Sequence, residues 1–352
     1  MKKLIALALI VLLVAGFAAC NNNAPAPAAT PAPPAGGGEA TPEPAPETPD
    51  QVFELRASTN LAAVGTVGQG LQHFVDLVNE RAEGRIVATA NFGAEHGSQA
   101  EQVEMTRIGA LDMVVASPGS GLGPMVAELA SFELPFSYED NDHFRRVLLG
   151  MEAEVSARVE PHNFVAMAGQ SQGARHMLTQ SPVRELADLQ GMLMRGPNAT
   201  YVAMFEHLGA AGTTTDWNEV FGALQTGMID GAEASPDMIN SMRFQDHASY
   251  FTMTSHIIAN VFYFFNLDWW NALPTDLQEL VREAAADAAA FQAYIDDIAQ
   301  ETSLQEMIAD GVEVIELEDI DAWIAAVAPM EDEFRARGEN FDSFITAIRA
   351  IR

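Results

Sequence analysis

Hydrophobic positions recur along this chain with two alternating periods, and their succession predicts an α/β fold. Residues 52–57 alternate as a strand does, and Leu71, Phe74, Val75 and Val78 then fall at helical spacing. A strand over residues 85–92, a helix from Ser98 to about Ile108 and a buried strand over residues 111–116 follow. Strands alternating with helices imply parallel pairing. Residues 142–158 read as helical, and residues 164–169 as the strand that crosses into a second half of the molecule.

Residues 191–233 carry the most consistent local signals, reading strand, helix, strand, helix, strand. Asn198 predicts a cap for a helix with Tyr201, Val202, Phe205 and Leu208 at helical spacing, which Gly209 ends. Asp216 and Glu219 predict a capping box for the next helix, with Trp217, Val220, Phe221 and Leu224 on its apolar stripe, and Gly227 closes it. A buried strand is expected over residues 228–232. Arg195 sits at the carboxyl end of the first apolar run, where ligands of open α/β sheets bind. Farther on, residues 257–266 predict a hydrophobic strand with Phe262 and Phe264 on one face and Tyr263 and Phe265 on the other, so that one pair borders a cleft. Thr275 and Gln278 predict a capping box, and the pattern is then mainly helical to Arg352, interrupted near residues 312–317.

The amino terminus changes the picture of where the fold begins. Lys2 and Lys3 precede an apolar run over residues 4–19 that is short for a bilayer span, and Cys20 follows Phe17-Ala18-Ala19. Residues 1–19 therefore resemble a lipoprotein signal peptide, with Cys20 as the lipid-bearing residue that anchors the protein to a membrane. Residues 20–50 hold nine of the eighteen prolines and are expected to form an extended tether of at most roughly 90 Å at about 3.1 Å per residue. About 300 residues remain, enough for two lobes with substantial cores.

Charge narrows the list of partners. Without Lys2 and Lys3 the chain has sixteen arginines against forty-nine acids, a formal charge of about −33. Nucleic acid is excluded as a partner by such a charge, and a site for an anion must be local and built from few arginines. A guanidinium suits that task because it offers parallel N–H donors to a carboxylate and stays charged when buried.

Two long motifs, "DLQGMLMRGPNATYVAMFEHLGA" and "NEVFGALQTGMIDGAE", occur in order, and with them the chain resembles the solute-binding subunits of tripartite ATP-independent periplasmic transporters, the dicarboxylate-binding type. "GALDM", "FELPFSY" and "NALPTDLQELVREAA" extend the resemblance over most of residues 52–352. The resemblance implies a two-lobe periplasmic-binding-protein-like α/β fold with a cleft between lobes and long helices spanning both. Residues 51–168, completed by part of 256–352, are expected to form lobe I and residues 169–255 lobe II. It also implies a small organic acid as ligand, membrane transport subunits as partners, and ligand contacts from Arg195 and from Arg175, twenty residues ahead. Ser117, just past a strand, is expected to face the cleft; some sialic-acid-binding relatives carry glutamate there. Phe136 is placed either at the cleft or in the core, and Glu233 either in the cleft or capping the adjoining helix. Ala234 stands where many relatives have a ligand-binding asparagine, which predicts a less polar site suited to a monocarboxylate, aromatic acid or keto acid.

Catalytic signatures are absent from the sequence. Cys20 is the single cysteine, the eight histidines include no HExxH pair, and no Gly-x-Ser-x-Gly elbow occurs. The glycine-rich residues 119–124 lack the third glycine of a dinucleotide fingerprint and are read as a flexible loop. No cofactor, metal or catalytic residue is expected. Delivery of the ligand to a membrane sensor instead of a transporter stays open.

Overall fold

The computed structural model describes residues 51–352. The expected signal peptide, Cys20 and the tether lie outside the described residues. In the first half of the chain, β1 (Phe53–Thr59), α1 (Thr66–Arg81), β2 (Ile86–Asn91), α2 (Gln99–Arg107), β3 (Met113–Ala116) and α3 (Asn141–Val159) precede the long β4 (Phe164–Thr179). Next come β5 (Leu193–Gly196), α4 (Ala199–His207), β6 (Ala211–Thr214), α5 (Val220–Gln225), β7 (Gly231–Ala234) and α6 (Pro236–Ser241). The chain returns through β8 (Tyr250–Asn266), α7 (Leu267–Ala272), α8 (Thr275–Ala309) and β9 (Glu313–Glu316), and ends in α9 (Ile320–Val327), α10 (Pro329–Arg335) and α11 (Glu339–Ala350).

All strands join one mixed sheet in the order β2-β1-β3-β8-β4-β7-β5-β6, with β9 pairing on β8. The parallel pairing expected from the strand–helix alternation holds within β2-β1-β3 and within β7-β5-β6. Between those two groups, β8 and β4 run antiparallel to each other and to their neighbours β3 and β7. These two strands, 16 and 17 residues long, therefore belong to both halves. Their pairing slips between Met167 and Gln170, Ser171 and Ala174, and Arg175 and Met177. Such bulges bend a strand and leave backbone groups without ladder partners.

Helix α8 answers that need. Over its first half it buries an apolar stripe of Leu277, Val281, Ala284, Ala285 and Ala288 in the core beneath α1. Where it crosses the bulges its buried residues turn polar. Gln292 donates to the Ser171 carbonyl at 2.9 Å and Gln300 to the Gln172 carbonyl at 3.3 Å. At 35 residues, roughly 50 Å at about 1.5 Å per residue, it packs on α1 of one half and α6 of the other. The start of α1 is tied across as well: Thr66 donates through its amide (3.1 Å) and hydroxyl (3.2 Å) to Asp237 on α6.

Local signals were mostly realised, with four differences. Ser98 and Glu101 form a capping box on α2, and Asn198 caps α4 by accepting from the Thr200 amide. Asp216 accepts from Asn218 and opens a 3-10 turn, without the reciprocal bond of a box, and α8 starts after Pro274 with no side-chain cap. The strand expected over residues 228–232 begins instead at Gly231, because Gly227 turns with φ 68° and leaves Met228 exposed. The phenylalanines of β8 do alternate, but both faces are covered: Phe262 and Phe264 lie in one core, Tyr263 and Phe265 in another, and neither pair reaches the cleft. A central strand flanked by β3 and β4 is buried on both sides. Among the described residues no helix is long and apolar enough to cross a membrane.

Asp296, on the polar stretch of α8, is fully buried; Oδ1 accepts from Gln300 (2.7 Å) and lies 3.2 Å from the Thr66 hydroxyl, while Oδ2 has no partner. Burial pushes its carboxyl up to about 7, with Asp237 adding to the effect. Because the folded value exceeds the unfolded one of about 3.9, this group favours the native state most below about pH 4, and that contribution is lost as pH rises towards 7. Urea titrations at pH 5 and pH 8 are expected to show Asp296→Asn gaining stability relative to the wild-type chain on going to pH 8; an unchanged difference contradicts the assignment.

Candidate functional site

A cavity of about 280 Å³ opens where the ends of β1, β3, β5 and β6 meet the bulged segments of β4 and β8. Crevices outside the carboxyl ends of strands are where open α/β sheets bind ligands. Ser117, directly after β3, lines the cavity, as do Arg175 on β4 and Arg195 on β5.

The two guanidiniums are in different electrostatic states. Arg175 is buried and forked onto Glu233 of β7: Nε bonds Oε2, and Nη2 donates to Oε1 and to the Glu233 carbonyl, both at 2.6 Å. Burial opposes charge on Arg175, but the adjacent carboxylate outweighs it and holds the guanidinium above its ordinary value. On Glu233 burial acts to raise the carboxyl, and Arg175 together with His256 reverses this and holds it low. His256 is buried, with Nδ1 2.7 Å from Thr254 Oγ1 and Nε2 3.5 Å from Glu233. Burial keeps its imidazole below the usual value.

Arg195 has no such partner. Its Nε and Nη2 donate to the Thr215 carbonyl at 2.9 and 2.7 Å, and its guanidinium lies 5.6 Å from the Trp217 ring centre. No carboxylate pairs with it among the described residues, and burial pushes it down to about 10. Of five N–H donors two are used, so the Nη1–Nη2 edge remains for a bidentate acceptor. Gly196 allows this geometry: a Cβ there would lie 2.4 Å from the Tyr201 Cβ, so only glycine lets α4 turn back this tightly behind Arg195.

Two candidate residues stand elsewhere. Glu233 neither enters the cavity nor caps a helix, because it is consumed by Arg175 from behind. Phe136 is not in the cavity lining: with φ 50° and its amide bonded to the His256 carbonyl at 2.7 Å, it turns its ring onto the core containing Leu134, Met177 and Ile257. Ala234 is also outside the lining, buried among Leu178, Ile229 and Phe251, so its lack of an amide does not make the site apolar. Residues 119–124, expected as a flexible loop, continue a short helical turn over Pro118–Leu122, with Ser117 Oγ accepting from the Ser120 amide.

The cavity gains its polarity from residues that pattern reading passed over. Asn260, Gln172 and Trp217 line the cavity, and Asn260 Nδ2 and Oδ1, Gln172 Nε2 and Trp217 Nε1 are buried with no protein partner. Glu133 lines it too, 2% exposed. Each carried a signal: Glu133 interrupts the apolar run Phe132-Leu134, and Asn260 is a lone amide in an apolar strand. Trp217 was absorbed into a helical stripe. Among the described residues no group of three or more His, Cys, Asp or Glu could hold a metal ion.

Comparison with known proteins fits this geometry. The model of bacterial extracellular solute-binding protein family 7, the DctP family, matches residues 57–337. A solute-binding protein of Chromohalobacter salexigens is 30% identical over 288 residues, covering 80% of this chain and 84% of its own. The C4-dicarboxylate-binding periplasmic protein of Rhodobacter capsulatus is 25% identical over 276 residues, 77% of this chain and 83% of its own. Among solved structures, a periplasmic solute-binding protein of this transporter type from Chromohalobacter salexigens, with bound D-glucuronate, superposes with a TM-score of 0.81 at 28% identity, covering 85% of this chain and all of that one. With its two-lobed α/β architecture and a matched segment spanning most of its length, the chain belongs to bacterial extracellular solute-binding protein family 7.

Proposed function

We propose that the protein binds a small organic acid by its carboxylate at Arg195 and hands it, unchanged, to the membrane subunits of a tripartite ATP-independent periplasmic transporter. The observation that carries this reading is a buried guanidinium, facing a cavity, that forms no ion pair with a protein carboxylate. A buried charge without an ion-pair partner is costly, and a ligand carboxylate accepting two parallel N–H bonds relieves that cost. The named ligands of the two relatives above, a C4-dicarboxylate and D-glucuronate, share a carboxylate.

Arg175 has a supporting role in this reading. Its charge is balanced by Glu233, and its remaining Nη1, 3.6 Å from Met238 Sδ, borders the cavity as a further donor. Ser117 acts through Glu133, to which its hydroxyl donates at 2.9 Å. Closure of the two halves over the acid would bring Arg195 and Tyr201 from one side against Asn60 and Ser117 from the other. Lipid attachment at Cys20 and a tether over residues 21–50 would hold the binding domain at the outer face of the cytoplasmic membrane.

Two variants separate binding from folding. Arg195→Lys, which removes the bidentate edge, is expected to weaken D-glucuronate or another bound acid at least about tenfold in titration calorimetry, a loss of roughly 1.4 kcal/mol; unchanged affinity contradicts the anchor. Glu233→Gln leaves Arg175 charged and unpaired in the interior, and urea denaturation is expected to show a loss of about 3–5 kcal/mol; a loss below about 1 kcal/mol contradicts the buried pair.

A further inference from the structure

We propose that Glu133 selects among acids, accepting a hydroxyl of the ligand and excluding a second carboxylate, so that the cargo is a polyhydroxylated monocarboxylate and not a dicarboxylate. This rests on the carboxylate reading of Arg195 and goes beyond it by assigning the other end of the ligand.

Counting acceptor sites on the Glu133 carboxylate is the first argument. Oε1 takes the hydroxyls of Ser117 at 2.9 Å and Ser120 at 3.4 Å, and Oε2 takes Asn198 Nδ2 at 2.5 Å. A carboxylate offers about four such sites, so one remains, on Oε2. The side chain is fixed: a Cβ on Gly119 would fall 2.4 Å from its carboxyl, so the turn after β3 is wrapped directly on it. Asn198 meanwhile caps α4 with its Oδ1, which couples the position of Glu133 to the helix behind Arg195.

Charge supplies the second argument. Arg175 is neutralised by Glu233, so Arg195 is the one arginine of the cavity lining without an acid, while two acids, Glu133 and Asp216, line the same space. One ligand carboxylate is balanced there and a second is not. Neutral polar side chains border the cavity as well: Asn260, Gln172 and Trp217. A hydroxyl both donates and accepts, so hydroxyls suit this neutral polar lining better than a methylene or a second carboxylate does.

The pH dependence follows. Burial pushes the Glu133 carboxyl up to about 7, against the pull of Asn198 and Ser117. The charged and titratable groups acting with it are Arg175 on β4, Glu233 on β7, Tyr201 on α4 and Tyr138; the arginine and both tyrosines are held above their ordinary values and Glu233 below, so only Glu133 titrates near neutrality. A dicarboxylate must enter beside protonated Glu133, and its affinity falls as pH rises through about 7. An acid whose hydroxyl donates to Glu133 favours the ionised form and does not weaken.

Titration calorimetry of the purified protein with D-glucuronate and with succinate, at pH 6.5, 7.5 and 8.5, tests this. The wild-type chain is expected to prefer D-glucuronate, with a preference that widens as pH rises. Glu133→Gln, whose fold is kept because the Ser117 and Ser120 hydroxyls can rotate to accept from the amide, is expected to narrow that preference at least about tenfold and abolish its pH dependence. If both acids bind through Arg195 but the preference is the same in Glu133→Gln, or does not change with pH in the wild-type chain, the assignment of Glu133 is overturned and the anchor stands. If neither acid binds, or Arg195→Lys binds both as tightly as wild type, the carboxylate reading itself fails and takes this one with it. The wild-type pH series decides the matter even if the variant does not fold.

Discussion

The ion pair between Arg175 and Glu233 fixes the electrostatics of the whole cleft. Two guanidiniums buried in one cavity would repel, and each would carry a desolvation penalty of several kcal/mol. By taking Glu233 for itself, with the carboxylate forked across Nε and Nη2, Arg175 becomes part of the framework that joins β4 to β7. What remains is one guanidinium without an ion pair, Arg195, held in place by the Thr215 carbonyl and the Trp217 ring. In a chain with forty-nine acids, a site that attracts an anion needs an arginine with no ion pair of its own, and the pairing of Glu233 with Arg175 leaves Arg195 in that position.

The same economy appears in the way the two halves are joined. Strands β4 and β8 pass through both, and where β4 bulges its freed carbonyls are met by glutamines of α8 instead of by a neighbouring strand. Side-chain bonds of this kind can be remade at little cost, whereas a regular ladder resists bending. The polar stretch of α8 and the Thr66–Asp237 bonds thus lie where the two halves of the sheet meet. Asp296, with one oxygen unpartnered there, is the least satisfied acid of that seam.

Much of this could be read from the sequence, because the strongest signals were local. The caps at Ser98 and Asn198, the helical stripes, and the placement of Arg195 at a strand end all follow from neighbours a few residues apart. What escaped depended on distant parts of the chain. Whether Glu233 faces a ligand or Arg175 is decided by a partner 58 residues away, and Phe136 is turned from the cleft by a bond to His256, 120 residues on. Glu133, Asn260 and Gln172 are polar residues set in apolar surroundings, a pattern that periodicity treats as noise and that becomes a site only when the sheet brings them together. The antiparallel course of β4 and β8 was hidden for a similar reason, since a long apolar strand reads the same in either direction.

A crystal structure of the protein with D-glucuronate tests the central claim most directly. The ligand carboxylate is expected within hydrogen-bonding distance of the Nη1–Nη2 edge of Arg195, with Arg175 still paired to Glu233. A carboxylate bound elsewhere, or an Arg175 that leaves Glu233 to bind it, would contradict the account.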